Sequence, residues 1–397
     1  MLRISSLSST VCTLAIVVSA SCSSQDASTP GLAPASTEVD SGAPVTPAGD
    51  ANDATKPRTT PPPLPIIPNA GGPLVARPEI VTLTWQGDSI ASDLETFDDW
   101  LVPSDFWKDL MAEWGVGPGV HVASYRIPDT APSTLDDSAI AKLIADLVAA
   151  GRIPAPNGSR IYTVYPPTGV IVTNRFLGSG CDGGFQAYHS AFRTASDVLA
   201  PYAVTPRCEN NAKAAGMSPT DYVTWGASHE VMEAASDPDP LHHPAWVIRT
   251  QTDETPEPGE NADLCTGHPT RVDGRLVTRN WSNVAAKKGE RPCVPAPAGP
   301  MFGAFADPMI VAPDTSVTTK VKVYASSDLP DFKVAARPYD PNLSATLNRS
   351  VANDGDELEL TVTANSRYTA TPGSNIVALY AGTSDYTTRH AVIIRRR

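Results

Sequence analysis

The sequence of 397 residues predicts an α+β domain over residues 76–298, followed by an all-β sandwich over residues 299–397. Two observations support this order. From Glu79 onwards, segments with strand periodicity alternate with segments of helical periodicity, as in domains that combine a sheet with helices. After Pro300 the chain has short alternating segments separated by Gly, Pro, Asn and Asp, a pattern typical of an antiparallel sandwich.

The individual elements follow from residue type and spacing. β-Branched residues in EIVTLTW predict a strand, and DDSAIAKLIADLVAA is an amphipathic helix that ends before Gly151. In the first domain the predicted strands are Glu79–Trp85, His121–Ile127, Arg160–Tyr165 and Gly169–Thr173, and the predicted helices are Asp93–Trp100, Ser104–Trp114 and Asp136–Ala150. The sandwich strands are predicted at Ile310–Val311, Val317–Tyr324, Phe332–Ala336, Leu343–Leu347, Glu357–Thr363, Ile376–Ala381 and His390–Ile394.

The N-terminus predicts export. Arg3 precedes the apolar run Val11–Ala20, and residues 1–22 have the form of a bacterial lipoprotein signal peptide in which Cys22 is the acylated residue. Val18-Ser19-Ala20 also suits ordinary signal cleavage, so lipid anchoring and secretion both stay open. Residues 23–75 are rich in Pro, Ser, Thr and Ala, which predicts a disordered linker between the envelope and the folded part.

Composition excludes some partners. The net charge is −13 and only 18% of the residues are charged, so the chain has no electrostatic reason to bind nucleic acid or an anionic membrane surface. After the signal segment no apolar run reaches membrane-spanning length. Membrane contact is therefore expected only through the lipid anchor.

Four cysteines remain after Cys12 and Cys22 are set aside, and in an oxidising compartment four cysteines suggest two disulfides with three connectivities. We favour the local pairs, because each would brace a loop-rich stretch beside the segment that contains His229. A zinc site made of cysteines is the competing interpretation, but no C-x-x-C spacing supports it. The favoured pairs are Cys181–Cys208 and Cys265–Cys293.

The stretch Trp225–Pro238, WGASHEVMEAASDP, predicts a metal-binding helix. His229 and Glu233 are four residues apart and therefore point the same way, and Glu230 follows the histidine. In the familiar H-E-x-x-H motif, two histidines hold zinc and the glutamate is the general base. Here Glu233 replaces the second histidine, which still provides a zinc ligand but leaves the choice of metal less certain. The alternative is a surface helix with these groups on its wet face.

A zinc site with one His and one Glu on a helix needs a third protein ligand, which leaves the fourth position to water. The segment ENADLC offers Asp263 as the first choice and Glu260 as the second. The two could also divide the work, one binding metal and the other orienting His229. His189, in FQAYHSAF, is a candidate for orienting a ligand or binding substrate, although an ordinary core or surface histidine is the simpler interpretation.

These motifs resemble those of the secreted phosphate-induced (EXORDIUM-like) proteins. The resemblance extends from about Glu79 to Cys293, and its specific parts are H-E-x-x-E and A-D-L-C. It implies export and a zincin-like helix, but no reaction. Two departures are Ser-Asp-Pro after the helix, where Thr-Asn-Pro or Thr-Asp-Pro is usual, and an acidic insertion, Asp253–Pro258, which is expected to be a solvated surface loop or a lid. Weaker parts of the resemblance are Tyr188–Ser190 and Pro201-Tyr202-Ala203 before Cys208.

The C-terminal part resembles the Ig-like modules of secreted bacterial hydrolases through Gly355–Thr363 and Tyr386–Ile394. Such modules serve in binding, as spacers or in stabilisation. The sequence of this one shows no set of catalytic residues. The expected fold is therefore a zincin-like α+β domain followed by an Ig-like sandwich.

The preferred hypothesis is an exported, lipid-anchored zinc metallohydrolase that acts on a peptide or a cell-envelope polymer. His229, Glu233 and Asp263 would hold Zn²⁺, and Glu230 would move the proton of the attacking water. The rival is a non-catalytic envelope protein with a structural or vestigial metal site. In a third interpretation there is no metal, and Glu233 and Asp263 pair with Arg or Lys.

Overall fold

A computed structural model of the protein describes residues 59–182, 184–253, 255–327, 329 and 331–397. The predicted signal peptide with Cys22, and the linker up to residue 58, lie outside the described residues. Within the described part, no helix combines the length and the apolar character needed to cross a bilayer.

The first part of the chain combines six helices and twelve strands among the described residues. The helices are α1 Ala91–Leu101, α2 Asp105–Met111, α3 Asp137–Ala149, α4 Glu209–Ala214, α5 Pro219–Ser236 and α6 Asn283–Lys288. The strands are β1 Glu79–Trp85, β2 Val120–Ile127, β3 Thr134–Asp136, β4 Arg160–Val164, β5 Ile171–Asn174, β6 Gly178–Ser179, β7 Tyr188–Arg193, β8 Leu199–Val204, β9 Pro269–Val272, β10 Arg275–Thr278, β11 Asn280–Trp281 and β12 Cys293–Val294.

A five-stranded sheet with the order β2-β1-β4-β8-β7 forms the centre of this domain. β2, β1, β4 and β8 run parallel to one another, whereas β7 pairs antiparallel with β8 at the edge. Ile80 of β1 faces the core shared with α1 and α5, and Val81 faces the core shared with α3. Because successive strand residues point to opposite faces, helices cover both faces of the sheet. The domain is thus a mixed α/β structure.

The end of the predicted linker packs against this domain. Ile67 is fully buried, and its N–H donates to the Asn283 side chain at 3.0 Å. Asn69 forms a β-bridge with Trp246, and Leu64 and Ile66 pack against the core. The prediction of a disordered linker as far as residue 75 was therefore wrong for this stretch, because its apolar side chains have a surface on which to be buried.

Helix α5 begins with two local signals. The Ser218 hydroxyl accepts a hydrogen bond from the Asp221 N–H at 3.0 Å, and Pro219 lies in the first turn. Gly226 allows close packing, because a Cβ there would lie 3.2–3.3 Å from Thr205, Ala187 and Gln186. Most of the helix is buried, including His229, Glu230 and Glu233. Such burial is costly for charged groups unless they have partners.

The C-terminal part is a two-sheet β-sandwich. One sheet has the order β13-β15-β19-β17 and the other the order β14-β21-β20-β16-β18. All its neighbouring strands are antiparallel except β14 and β21, which are parallel. These strands are β13 Phe302–Phe305, β14 Met309–Val311, β15 Thr315–Ala325, β16 Phe332–Pro338, β17 Leu343–Leu347, β18 Val351–Ala352, β19 Glu357–Ala364, β20 Ile376–Gly382 and β21 Thr387–Arg396. The predicted sandwich is confirmed.

The two parts of the chain share a continuous apolar core. It extends from the α1 and α5 side of the central sheet through Trp281 and Cys293 to Phe302 of the sandwich. Both predicted disulfides, Cys181–Cys208 and Cys265–Cys293, are present. Their presence indicates an oxidising, extracellular compartment.

Candidate metal centre

The centre of the site is the buried face of α5. His229 and Glu233 lie one turn apart, with Nε2 of the histidine 3.2 Å from Oε2 of the glutamate. Glu230 Oε1 is 4.0 Å from the same ring nitrogen. The spacing in the sequence therefore does bring these three groups together.

Asp263 reaches the helix from a short 3₁₀ helix, Asp263–Cys265. Its Oδ1 lies 3.4 Å from His229 Nε2, and its N–H donates to Glu233 Oε1 at 3.0 Å. The Glu260 N–H in turn donates to Asp263 Oδ2 at 3.1 Å. One nitrogen of His229 and one oxygen each of Glu233 and Asp263 lie within 4.8 Å of one another.

His189 enters the cluster from the edge strand β7. Its Nδ1 is 3.3 Å from Glu230 Oε2 and 3.7 Å from Glu233 Oε2. On the other side of the ring, Nε2 is 3.2 Å from the Asp237 carbonyl oxygen and 3.7 Å from Glu260 Oε2. His189 is thus part of the same cluster as the helix residues, with a hydrogen-bond partner at each ring nitrogen.

Two buried carboxylate oxygens at this end of the site have no hydrogen-bond donor among the described residues. They are Glu260 Oε1 and Asp237 Oδ2. Glu260 is 2% exposed and Asp237 is fully buried, although the other oxygen of Asp237 accepts a hydrogen bond from the Ala245 N–H. Unpaired buried oxygens of this kind are costly, which suits a site that receives a cation or a proton.

The pKa values reflect the surplus of carboxylates. Burial, and then the charge of Asp263, raises the pKa of Glu233 to about 7, although His229 opposes the shift. Burial also raises the pKa of Glu260 well above its usual range, and the charges of Glu233 and Asp237 add to this effect. Burial alone would lower the pKa of His229, but Glu233 and Glu230 outweigh burial and raise it well above normal. Each of these shifts shows that the cluster favours additional positive charge.

The sandwich holds the loop that carries Asp263. Arg389 of β21 donates to the Asp263 carbonyl oxygen at 3.0 Å and pairs with Glu257 at 2.8 Å. The Tyr339 hydroxyl, also from the sandwich, donates to the other oxygen of Glu257 at 2.9 Å. The acidic insertion therefore turns Glu257 inwards to a buried guanidinium, so its expected role as a solvated surface loop was wrong for this residue. The ion pairs described for Glu233 and Asp263 are with histidines, not with Arg or Lys.

Two openings lead to the cluster. A cleft of about 540 Å³ is lined by His189, Ser190 and Ala191 of β7 and by Asp239, just after α5. His229 and Glu230, with Trp225, line a smaller recess. Groups in solution can therefore approach the cluster from the edge of the sheet.

The candidate metal, catalytic and substrate-binding residues from the sequence lie in one cluster: His189, His229, Glu230, Glu233, Glu260 and Asp263. Two residues near the cluster were not predicted from the sequence. Asp237 appeared there only within the Ser-Asp-Pro that follows the helix, although an acidic residue just after the helix that carries His229 is a usable signal. Arg389 gave no signal, because it lies more than 120 residues after Asp263 and in another domain.

Comparisons with known proteins find similar solved structures that cover only a quarter of this chain. No protein-family model matches the sequence, and no curated protein matches it. The similar solved structures include domains 4 and 5 of the S-layer protein SbsC. That match has 12% sequence identity and a TM-score of 0.18, and it covers 25% of this chain and 55% of the SbsC fragment. They also include a chain of the complex of titin M10 with the obscurin-like 1 Ig domain. That match has 19% sequence identity and a TM-score of 0.17, and it covers 25% of this chain and 93% of the other chain.

A third similar structure is the BIgI domain of beta protein from S. agalactiae. That match has 13% sequence identity and a TM-score of 0.17, and it covers 25% of this chain and 97% of the BIgI chain. The present chain spans 55% of the length of the SbsC two-domain fragment and 14% of longer SbsC structures.

Proposed function

We propose that this protein is an exported zinc metallohydrolase of the peptidase type, built on a zincin-like core. The observation that carries the proposal is the buried set of His229, Glu233 and Asp263, whose ligand atoms lie within 4.8 Å of one another. One imidazole and two carboxylates are a donor set that suits zinc and leaves a position for water. The unpaired oxygen of Glu260 beside this set agrees with a need for positive charge.

His229, Glu233 and Asp263 would hold the ion. A zinc ion in such a site lowers the pKa of a bound water and polarises a carbonyl group. The role of Asp263 depends on its orientation, which is fixed by its own N–H bond to Glu233 and by the Arg389 bond to its carbonyl oxygen. A rigid ligand of this kind retains its geometry when substrate enters.

Glu230 is the candidate general base. Its Oε2 is 3.3 Å from His189 Nδ1, which leaves Oε1, on the His229 side, to accept a proton from the attacking water. The same oxygen would then pass that proton to the leaving nitrogen of the substrate. His189 orients Glu230 and is a positioning residue in this scheme.

The edge of the sheet provides a place for an extended substrate. Among the described residues, β7 is the last strand of the central sheet. An extended peptide can pair with such an edge through its main chain, and the cleft beside Ser190 and Ala191 lies along this strand. A peptide paired there would pass His189 and so approach Glu230.

Other parts of the proposal rest on the sequence. The resemblance to the EXORDIUM-like proteins and the signal segment support export, and Cys22 supports a lipid anchor. The two disulfides agree with an extracellular location. The substrate is proposed to be a peptide or a peptide-containing polymer of the cell envelope.

Metal content tests the ligand set first. The purified mature protein should retain zinc after dialysis, as measured by mass spectrometry, and His229→Ala and Asp263→Ala should each lower the content. Glu209→Gln, on an exposed residue outside the cluster, is the matched control and should retain the wild-type content. A folded wild-type protein that takes up no zinc would refute the proposal.

Glu230→Gln tests the reaction. The variant should keep its metal but lose about 10²–10⁴-fold in the rate of cleavage of a peptide library, as general acid–base catalysis contributes this much. Mass spectrometry of the library would identify the cleaved bonds, whatever the sequence preference of the enzyme. If the zinc-loaded wild type cleaves no peptide, the rival explanation is favoured, namely a non-catalytic envelope protein with a structural metal.

A further inference from the structure

The cluster contains a second set of metal ligands. His189, Glu233 and Glu260 each offer one ligand atom, and these atoms lie within 4.8 Å of one another. His229, Glu233 and Asp263 form the other set, so the two sets share only Glu233. We propose that the site holds two divalent cations, with the Glu233 carboxylate bridging them. This inference deepens the proposed function and rests on it for the first cation.

The separation of the ligands argues for two positions. Zinc ligands lie about 2.0–2.2 Å from the ion, so two ligand atoms on one ion are at most about 4 Å apart. His189 and His229 fall in different sets and approach Glu233 Oε2 at 3.7 and 3.2 Å. Glu260 approaches His189 Nε2, and Asp263 approaches His229 Nε2. His229 faces both of its carboxylates with Nε2, whereas His189 faces Glu233 with Nδ1 and Glu260 with Nε2. A single nitrogen of His189 would therefore bind the second cation, together with one oxygen each of Glu233 and Glu260.

Independent support comes from the oxygens that lack a donor. Within the described part of the chain, Glu260 Oε1 and Asp237 Oδ2 are buried and receive no hydrogen bond from an N–H or hydroxyl group, and the two carboxyl groups adjoin each other. The Asp237 main-chain oxygen lies 3.2 Å from His189 Nε2, so a further oxygen donor is available at the same place. A buried carboxylate whose oxygen is left without a donor needs a cation or a proton.

Charge balance favours a second cation over one alone. Four buried carboxylates, Glu230, Glu233, Asp237 and Glu260, and the largely buried Asp263, 12% exposed, surround the two imidazoles. With neutral imidazoles and all five carboxylates ionised, one divalent cation leaves a large negative charge in the site, whereas two cations nearly compensate it. Mixed imidazole and carboxylate ligands suit zinc or manganese. In hydrolases with two metals, the ions lie about 3.5–4 Å apart and share the stabilisation of the attacking and leaving groups.

The test counts metal ions in the mature protein. After dialysis against Zn²⁺, the wild type should contain two zinc ions per chain by mass spectrometry. Glu260→Gln and His189→Gln should each retain one, and the Glu209→Gln control should retain two. With Mn²⁺ in place of zinc, electron paramagnetic resonance of the wild type should show a spin-coupled pair, whereas Glu260→Gln should show an isolated ion.

The outcomes separate this inference from the proposed function. One zinc per wild-type chain, kept in Glu260→Gln but lost in Asp263→Ala, overturns the second site and leaves the first, with a proton shared between Glu260 and Asp237. One zinc that is lost in Glu260→Gln and kept in Asp263→Ala also overturns the pair and moves the single site. No zinc in the wild type refutes both. Because the wild-type count alone decides between one and two ions, a variant that fails to fold does not block the test.

Discussion

Arg389 connects the sandwich to the loop that carries Asp263, and its replacement therefore gives a specific prediction. We expect Arg389→Met to destabilise the protein and to weaken metal binding, since methionine fills similar space but supplies no donor. The side chain is 4% exposed, and it pairs with Glu257, which is 18% exposed. The same guanidinium donates to the carbonyl oxygens of Asp263 and Thr266.

The size of the effect follows from burial. Removing one partner of a buried ion pair typically costs about 3–5 kcal/mol, because the other charge is left without compensation. Typical domains unfold with about 5–15 kcal/mol, so urea unfolding should shift strongly. Loss of a group that orients a metal ligand typically lowers metal affinity about 10–100-fold, and zinc titration would measure this change for Asp263.

A second substitution separates charge from positioning. In Arg389→Met with Glu257→Gln, the unpaired buried charge is gone, so much of the lost stability should return. Zinc affinity should stay low, because the Asp263 carbonyl oxygen still lacks its donor. Arg396→Met, at the exposed end of the same strand, is the control and should resemble the wild type. Wild-type urea stability in Arg389→Met would refute the reasoning.

Three further predictions concern stability. Replacing Cys265 and Cys293 by alanine opens a loop with a sequence separation of 28 residues, which should lower the unfolding free energy by about 3–4 kcal/mol, measured with urea. Neither ring nitrogen of the buried His268 has a hydrogen bond to a described residue, and burial lowers the pKa of the imidazole to about 3. Its unfolded form therefore takes up a proton below about pH 6.5 while the folded form does not, so stability is complete above that pH and falls on acidification. His268→Phe should flatten the fall by about 1.4 kcal/mol per pH unit between about pH 4 and 6, and an unchanged slope would contradict the assignment. Asp98 accepts hydrogen bonds from three buried hydroxyl groups, so Asp98→Ala should cost about 3 kcal/mol or more, and a melting temperature like that of the wild type would count against this network.

Local pattern was enough for most of the secondary structure. The strand predicted at Glu79–Trp85 has the same bounds in the structure, and the helix predicted at Asp136–Ala150 is observed at Asp137–Ala149. These elements have clear β-branched or amphipathic periods, because each faces one side of a core. Helix α5 is buried nearly all round, so its apolar pattern was weak, and its motif identified it instead.

The layer arrangement was harder to predict. Strand spacing does not say whether neighbours run parallel, and the mainly parallel sheet with helices on both faces emerged only from the long-range pairing of β1, β4 and β8. The N-terminal stretch shows the same limit. Its proline content predicted a linker throughout, whereas Ile67 is buried and its N–H donates to the side chain of Asn283 in α6. Composition records what a segment can bury by itself, but not the surface that another part of the chain offers.

By itself, the sequence determined that His229 and Glu233 lie side by side, because the helical period places residues four apart on one face. It also identified Asp263 and Glu260 as candidates, because both lie in the segment ENADLC, close to Cys265. Only the tertiary structure decided that His189 completes a second set around Glu233, and that Arg389 holds the Asp263 loop from another domain. The physical reason is that contacts between distant segments depend on how sheets and cores pack, and no local period in the sequence records that packing.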